Sequence, residues 1–404
     1  MSLVVQKYGG TSVADPERIR AVAENIVRTR RNNDVVVVVS AMGKETDELI
    51  HLANQVSKNP PGREMDMLIT AGERKATALV VMALVEMGCP AASFTGSQAG
   101  FLTDTEHRNA KILEVRPDRI KNAIAQGKVA VVGGAQGVST ENDVTFLGRG
   151  GSDTTAVALA ATLDADACEL YTDVSGVFNA DPRVVSSARR LSRLNFDEML
   201  EMSATGCPKP EMRSVEFARN HHVRLHVRSS FTWEPGTWVT EEDPTMEQAI
   251  ITAVTHDLSE AKITVNSVPD SPGIAARLFR ALADSSVNVD MIVQDVSHDG
   301  TTDISFTTPL EHVDAALGIA NALANDIGAG EVAADTHIGR VSLIGAGMKT
   351  HPGVAATMFE TLAANSINIE MISTSSIRIS CVVNEDQVEN AVVKLHEAFK
   401  LDVV

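Results

Sequence analysis

A lysine followed closely by two glycines lies near the start of the chain, in the sequence VVQKYGGTSV. An apolar run of the kind that forms a buried strand leads to Lys7, and then come Gly9, Gly10, Thr11 and Ser12. Glycines leave backbone N–H groups unobstructed, hydroxyls reach phosphate oxygens, and the lysine amine adds a mobile positive charge. The residues suit a phosphate cradle, but a lysine before a glycine turn is more often structural, so this motif gains weight only together with others.

A second glycine cluster, LGRGGSDTTAVALA, begins at residue 147 and runs into a predicted helix. Gly150 and Gly151 permit close approach to the backbone, and Ser152 or Asp153 can cap the helix. Arg149 presents a planar guanidinium that suits a carboxylate. Neither cluster has the GxxxxGK[ST] spacing or the GxGxxG spacing with a later acidic residue, so we disfavour Walker-type and dinucleotide sites.

The elements that would position these residues alternate between strands and helices up to about residue 230. Candidate strands cover residues 3–6, 34–40, 91–95, 129–133 and 167–171, and helices begin near residues 15, 64 and 117. Asp15 is a plausible N-cap because Pro16 follows it at the first helical position. The alternation predicts an α/β domain with a largely parallel sheet, in which Lys7 faces the crevice at the strand ends.

A boundary and an internal repeat follow. Residues 232–249, TWEPGTWVTEEDPTMEQA, are rich in Pro, Gly and acidic residues. Beyond them, PGIAARLFRALADSSVNVDMI from Pro272 matches PGVAATMFETLAANSINIEMI from Pro352 without a gap. Each unit reads as strand, Pro-Gly turn, helix and strand. The glycine either presents helix N–H groups to a carboxylate or simply starts a tightly packed helix.

The bulk properties set outer limits. At roughly 150 residues per domain, 404 residues indicate two or three domains, and 44% hydrophobic with 22% charged residues indicates a globular protein. The net charge of −18 argues against nucleic acid as a partner. The four cysteines lack metal-ligand spacing, so we interpret them as reduced thiols. No segment resembles a signal peptide or a membrane span, and we expect a cytoplasmic protein.

The motifs KYGGTS, SAMG, TAGER, GSQAG, GRGGSDTTA and YTDVSGVFNADPR occur in the order found in aspartate kinases. The repeats resemble ACT domains, small α+β modules that pair and bind free amino acids. The resemblance covers nearly the whole chain and is nearest to the actinobacterial type. It implies an amino-acid kinase domain over residues 1–245, with three layers and a mostly parallel sheet, then ACT-like regulatory domains over 246–336 and 337–404.

The implied reaction transfers the γ-phosphoryl group of ATP to the side-chain carboxylate of L-aspartate, with Mg²⁺ and without a protein-derived metal site. By resemblance, Lys7 and Asp153 are the catalytic residues. The implied substrate-binding residues are Ser40, Thr46, Glu73, Arg149 and Ser152. The implied nucleotide-binding residues are Gly9, Gly10, Thr11, Ser12, Tyr171, Thr172, Asp173, Arg183 and Lys209.

The resemblance also assigns an effector site in the ACT-like region, with lysine and threonine as effectors. Its residues are Asp270, Pro272, Gly273, Gln294, Asp295, His351, Pro352, Gly353, Asn368 and Ser376. A lone ACT-like unit exposes a sheet edge that pairing would cover, so we expect a homo-oligomer.

Several positions depart from the family pattern. Pro208 stands where the family usually carries a nucleotide-side lysine, with Lys209 one residue later, and prolines here preclude a regular helix. Ala135 replaces a larger residue near the substrate pocket. Asp295 and Ser376 replace Asn and Glu beside the effector site. We hypothesise a specialised paralogue with retuned feedback; the alternatives are a kinase for a related amino acid such as glutamate, and a non-catalytic effector sensor.

Overall fold

The computed structural model describes residues 2–241, 250–296 and 300–403. The chain forms two compact units. The first consists of Met1–Val177, Arg190–Ser203 and Pro208–Met246, and the second of Phe178–Arg189, Ala204–Cys207 and Glu247–Val404. The predicted boundary between residues 245 and 246 lies outside the described residues, and the predicted domain limits remain predictions.

The part of the chain up to residue 241 carries the elements of the first unit. Its strands are β1 (Ser2–Tyr8), β2 (Asn33–Val39), β3 (Ala91–Phe94), β4 (Phe101–Thr103), β5 (Ile112–Val115), β6 (Val129–Gly133), β7 (Gln136–Ser139), β8 (Val144–Phe146), β9 (Ala167–Thr172), β10 (Arg193–Asn195), β11 (Leu225–Ser229) and β12 (Thr237–Thr240). Its helices are α1 (Pro16–Arg30), α2 (Glu45–Val56), α3 (Gly62–Glu86), α4 (Asp118–Ala125), α5 (Gly151–Thr162), α6 (Phe196–Ala204) and α7 (Met212–Asn220).

The main sheet of the first unit has the strand order β10-β12-β11-β9-β1-β2-β6-β3. Its neighbouring strands run parallel except for β11 and β12, which are antiparallel. A smaller sheet has the order β5-β4-β7-β8. Each of the five predicted strands is present, and the Asp15 carboxylate accepts the backbone N–H of Arg18 at 2.9 Å, which confirms the predicted cap of α1.

Helices cover both faces of the main sheet. Val35, Val37 and Val39 of β2 pack in one hydrophobic cluster with residues of α1 and α3. Because strand side chains alternate, Val36 and Val38 lie on the opposite face, which α5 contacts. The result is the predicted three-layer α/β arrangement with a mostly parallel sheet.

The second unit contains two four-stranded antiparallel sheets with helices packed on them. Its strands are β13 (Ala253–Asp257), β14 (Glu260–Pro269), β15 (Ile292–Val296), β16 (Thr301–Pro309), β17 (Val332–Asp335), β18 (Ile338–Ile344), β19 (Met371–Thr374) and β20 (Arg378–Asn384). Its helices are α8 (Ile274–Asp284), α9 (Val313–Ile327), α10 (Val354–Ala364) and α11 (Val388–Ala398). The orders are β15-β16-β14-β17 and β13-β18-β20-β19.

The strand β13 belongs to the second of these sheets although it precedes the first in the chain. Ala253 pairs with Ile344 and Asp257 with Arg340 across the antiparallel β13 and β18 ladder. The predicted block 246–336 therefore does not correspond to one sheet. Sequence periodicity identifies a strand, but the strand with which it pairs depends on long-range packing.

Both Pro-Gly turns adopt the predicted form. Gly273 and Gly353 precede α8 and α10 with φ of 98° and 110°, in the left-handed region that favours glycine. The predicted succession of strand, turn, helix and strand is therefore confirmed in both repeats.

An arginine surrounded by carboxylates lies between the two sheets of the second unit. Arg340, on β18, is 2% exposed and contacts Asp257 at 3.4 Å, Glu260 at 3.2 Å and Asp290. Its guanidinium also donates to the Ala204 carbonyl at 2.9 Å. We call these residues the Arg340 cluster. Since Glu260 and Asp290 belong to the first repeat, the cluster ties the two repeats together.

Among the described residues, no helix combines the length and apolar character needed to span a bilayer.

Candidate active site

A cleft of about 490 Å³ lies at the carboxyl ends of β1, β2 and β9 and beside the start of α5. Parallel sheets bind their ligands at this edge. Most of the residues predicted to act on substrate or nucleotide line the cleft: Lys7, Gly9, Gly10, Thr11, Ser40, Thr46, Glu73, Arg149, Ser152, Asp153, Thr172, Asp173 and Lys209.

Lys7 and Asp153 form an ion pair at the floor of the cleft. Lys7 Nζ lies 2.6 Å from Asp153 Oδ1, and the two side chains are only 7% and 3% exposed. Asp153 is in the first turn of α5, which packs on β1, so two elements fix the amine. Burial makes an unpaired charge costly, and the pairing keeps a cation in a dry site. An amine held in this way is suited to stabilise charge on a transferring phosphoryl group.

Close to Lys7, the backbone around Gly10 leaves no room for a side chain. A Cβ on Gly10 would lie 2.8 Å from the Ala41 carbonyl oxygen and 2.9 Å from that of Gly43. The Gly9 N–H donates to the Tyr171 carbonyl at 3.2 Å, which joins this loop to the end of β9. Gly10 thus keeps this loop close-packed, and Gly9, Gly10 and Thr11 line the cleft as a candidate cradle for a polyanion.

Glu73 supplies a carboxylate on the side of the cleft formed by α3. It is 3% exposed, and one of its oxygens, Oε2, has no hydrogen-bond partner among the described residues. Burial, reinforced by the nearby Glu45, raises the pKa of Glu73 to about 7, although the Ala41 N–H stabilises its charged form. A buried carboxylate oxygen with unused acceptor capacity is suited to bind an ammonium group.

Arg149 also lines this cleft. It is exposed and makes no hydrogen bond or ion pair with any residue that the structure describes. Gly150 adopts φ of 71° immediately before α5, so the loop presents Arg149 next to the helix N-terminus. Arg149 and Glu73 line the same cleft, and their guanidinium and carboxylate match the carboxylate and the ammonium of an α-amino acid.

The residues that line the cleft now permit a comparison with known proteins. Residues 2–229 match the amino acid kinase family, and residues 262–328 and 341–399 each match the ACT domain. An aspartokinase of Mycolicibacterium smegmatis is 57% identical over 99% of this chain and 97% of its own length. The chain belongs to the aspartokinase family. An aspartokinase of Corynebacterium glutamicum is 54% identical with the same coverage.

Solved structures agree with the family assignment. Escherichia coli aspartokinase III in complex with aspartate and ADP, in the R-state, superposes with a TM-score of 0.83 at 25% identity, covering 98% of this chain and 99% of that one. The same enzyme in complex with lysine and aspartate, in the T-state, gives a TM-score of 0.77. The matches thus include the kinase domain and both ACT domains.

Two predicted nucleotide-binding side chains point elsewhere in this aspartokinase. The Ser12 hydroxyl lies 2.7 Å from the Ser230 hydroxyl, and Tyr171 stacks on Tyr8 at 4.8 Å and donates to Glu169 at 3.1 Å. Both residues are buried and lie outside the cleft lining. Ser12 lies in the 3-10 turn Gly10–Val13 after β1, and Tyr171 lies on the buried strand β9. Their nucleotide role stays a prediction.

The remaining nucleotide-side predictions divide between the two units. Thr172 donates to Asp173 at 2.9 Å at the end of β9, and Lys209 lies in the segment between α6 and α7, where the prolines exclude a helix as predicted. Arg183 belongs to the second unit, where it pairs with Asp181 at 2.6 Å, and its nucleotide role stays a prediction.

The predicted effector residues of this aspartokinase lie at exposed positions of the second unit: Asp270, Pro272, Gly273, Gln294, His351, Pro352, Gly353, Asn368 and Ser376. The side chain of Asp295 lies outside the described part of the chain. Their effector role remains a prediction.

Sequence reasoning missed several residues that line the aspartokinase cleft. They are Gly43, Asp47, Ile50, Ile69, Arg108, Phe146 and Gly148. Ala135, which the sequence placed near the substrate pocket, also lines the cleft. Behind them lies Asp66, which is fully buried and also unpredicted. In the sequence Asp66 has the pattern of a solvated charge in the first turns of a helix, so no local signal distinguishes it.

Proposed function

We propose that this aspartokinase transfers the γ-phosphoryl group of ATP to the side-chain carboxylate of L-aspartate and yields 4-phospho-L-aspartate and ADP. The observation that carries the proposal is that the buried Lys7–Asp153 ion pair lines the same cleft as Arg149 and as Glu73, whose Oε2 has no hydrogen-bond partner among the described residues. The Lys7–Asp153 pair is suited to bind a phosphoryl group, and Glu73 with Arg149 is suited to bind an α-amino acid.

The chemistry requires no proton transfer. A carboxylate oxygen of aspartate attacks the γ-phosphorus while the bond to the bridging oxygen breaks, and ADP leaves with that electron pair. Arg149 orients the α-carboxylate and Glu73 the ammonium, so that the side-chain carboxylate points toward Lys7. Ser40 and Thr46 are the hydroxyls proposed to contact that carboxylate. Lys7 neutralises charge that develops on the phosphoryl oxygens, and Asp153 fixes its position.

Mg²⁺ fits a cleft of this composition. The described residues contain no cluster of three or more His, Cys, Asp or Glu side chains that could hold a metal ion. Magnesium in phosphoryl-transfer sites is bound largely by substrate phosphates and water. When bound, it would offset phosphate charge, with Asp173 and Thr172 as the residues of the nucleotide side that would approach it.

Regulation by free amino acids belongs to the same proposal. The solved complex of aspartokinase III contains lysine, and the two Pro-Gly turns of the second unit here have open space at Gly273 and Gly353. We propose lysine and threonine as effectors, with a response retuned by Asp295 and Ser376 and a cytoplasmic role in amino-acid biosynthesis.

Self-association is proposed from the sheets of the second unit. The edge strands β15 and β19 expose Ile292 and Ile372 at equivalent positions of the two repeats, 52% and 43% exposed. Edge strands with exposed apolar residues are usually covered by pairing. A molar mass from light scattering that equals one chain at micromolar concentration would contradict the homo-oligomer.

The activity test traps the acyl phosphate. Enzyme, ATP, Mg²⁺ and L-aspartate are incubated with hydroxylamine, and the hydroxamate is measured beside an L-glutamate reaction. We expect aspartyl hydroxamate, and about a thousandfold less of it with Lys7→Ala. We expect only a weak fall in rate with millimolar lysine plus threonine; a sharp fall would remove the reason to propose retuned feedback. If more hydroxamate formed from glutamate than from aspartate, the enzyme would be a kinase for another amino acid, for which the small Ala135 leaves room. No hydroxamate from either substrate, with effector binding retained, would support a non-catalytic sensor.

A further inference from the structure

One arginine of the cleft has a backbone conformation that arginine rarely adopts. Arg108 follows β4 and precedes β5, and its φ is 70°. In this left-handed region the Cβ of an L-residue crowds the following carbonyl, and glycine would take the conformation without that cost. An unfavourable backbone that is held in place at a cleft is a reason to look for a role of its side chain.

The guanidinium of Arg108 is available to a ligand. It lines the cleft with Glu73 and Arg149 and makes no hydrogen bond or ion pair with any described residue. A Cβ added to Gly148 would lie 3.2 Å from the Arg108 carbonyl oxygen, so the Arg108 backbone is next to the loop that carries Arg149. Arg108 therefore belongs to the amino-acid end of the cleft.

A buried carboxylate holds this segment. The Arg108 N–H donates to both oxygens of Asp66, at 3.0 and 3.3 Å, and His107 Nδ1 lies 2.7 Å from Asp66 Oδ2. The Phe146 N–H donates to the same oxygen at 3.0 Å. Asp66 thus ties Arg108 to the end of β8, three residues before Arg149. The charge-assisted hydrogen bonds offset the cost of the left-handed backbone.

The charges of the amino-acid end favour a dicarboxylate. Lys7 is already paired with Asp153, and the sequence assigns Lys209 to the nucleotide, so Arg149 would otherwise be the one arginine of the described lining to face a substrate that carries two carboxylates. Arg108 supplies a second cation without a protein partner. Its exposed position suits long-range attraction, which salt screens.

We propose that Arg108 is a second substrate-recognising arginine, which draws the dicarboxylate amino acid into the cleft and lowers its KM. The inference rests on the proposed function, and it assigns to Arg108 the carboxylates of the amino acid and not the phosphates of ATP.

The experiment uses Arg108→Gly in the full-length protein, because glycine removes the guanidinium and relieves the backbone at once. We expect Tm to rise by about 2 °C, while KM for aspartate rises about three- to tenfold with kcat within about twofold and KM for ATP unchanged. The difference in KM between wild type and variant should shrink as KCl is raised from 0.05 to about 0.5 M. A structural residue would not give opposite effects on stability and substrate affinity.

Two further variants serve as controls. Lys400 is also a basic, exposed residue with positive φ, 55°, and it lies outside the cleft lining, so Lys400→Gly should raise Tm and leave KM for aspartate unchanged. Arg108→Lys keeps the charge and the backbone conformation, and we expect an intermediate KM for aspartate with the Tm of wild type.

An unchanged KM for aspartate in Arg108→Gly would overturn the inference, and so would a rise confined to KM for ATP. Aspartate binding, measured by calorimetry without ATP, tests the inference separately from turnover. If wild type bound aspartate more tightly than the variant but formed no hydroxamate, the proposed reaction would fail while the assignment of Arg108 would stand.

Discussion

The arginines of the cleft and the arginine of the second unit have opposite surroundings. Arg149 is exposed and has no ion-pair partner within the described part of the chain, whereas Arg340 is 2% exposed and faces Asp257, Glu260 and Asp290. A guanidinium whose partners are built into the protein contributes to folding, and one whose partner is a ligand contributes to binding. We therefore expect removal of the Arg340 guanidinium to lower stability, and removal of the Arg149 guanidinium to lower activity.

The strongest test of this difference is Arg340→Met. Without its cation, the Arg340 cluster keeps three carboxylates close together, and burial already raises the pKa of Glu260. We expect the free energy of unfolding of the second unit to fall by about 3–5 kcal/mol, measured by urea denaturation.

The control for Arg340→Met is Arg277→Met. Arg277 pairs with Asp326 on the surface, where the two side chains are 54% and 64% exposed, so the loss should be about 0–1 kcal/mol. If the free energy of unfolding fell equally in the two variants, the three carboxylates around Arg340 would not make it more important for stability than a surface arginine.

The counterpart in the cleft is Arg149→Ala. We expect kcat/KM for aspartate to fall roughly 100-fold, since a charge-assisted hydrogen bond to the α-carboxylate contributes about 2–3 kcal/mol. Unfolding free energy should change by less than about 0.5 kcal/mol, because the side chain has no partner in the described structure to lose. Steady-state kinetics and urea denaturation measure both, with Arg149→Lys as the charge-retaining control. A stability loss as large as that of Arg340→Met would remove the contrast.

A smaller effect is expected from pH at Glu73. Its pKa, raised to about 7 mainly by burial, means that the folded protein holds this proton more tightly than the unfolded chain. The ligand-free fold therefore loses stability as pH rises from 4.5 to about 7, while the ionised form that binds an ammonium becomes populated.

The measurement is kcat/KM for aspartate between pH 6 and 8. It should rise up to about tenfold per pH unit below the pKa and level off above it. Glu73→Gln should give a low and flat profile. A wild-type profile without an inflection near neutral pH would show that Glu73 is ionised throughout.

The smallest effect is expected at Arg183→Ala. The Arg183 side chain is 84% exposed and its ion pair with Asp181 is on the surface, so unfolding free energy should change by less than about 0.5 kcal/mol. The same variant tests the nucleotide role predicted from sequence, through KM for ATP. Asp181→Asn, which breaks the pair but keeps the guanidinium, is the matched control.

The sequence predicted the parallel sheet, the repeats and most of the cleft because each leaves a local signal. Five valines in a row predict a central strand, and glycine clusters after strands predict sites of close approach. Lys7, Arg149 and Asp153 occur in such clusters, Glu73 occurs in the helical motif TAGER, and all four line the cleft.

The missed features have no local signal. The direction of the Ser12 side chain depends on the turn that follows β1, and the face that Tyr171 occupies depends on which helices cover each side of β9. Arg108 is missed because a residue other than glycine gives no sign of a positive φ in the sequence. Asp66 is missed because the N–H groups that it binds come from segments about 40 and 80 residues away.

The pairing of β13 with β18 of the second repeat has a consequence for synthesis on the ribosome. Ala253 emerges about 90 residues before its partner Ile344, and the whole first repeat is made in between. At about 5–20 residues per second the strand waits roughly 5–20 s without its neighbour. The first repeat can close during that interval, whereas the second cannot be completed until its last strands appear. The order of translation therefore makes the second repeat the last to fold, and a nascent chain stalled between the repeats would carry an uncovered apolar strand.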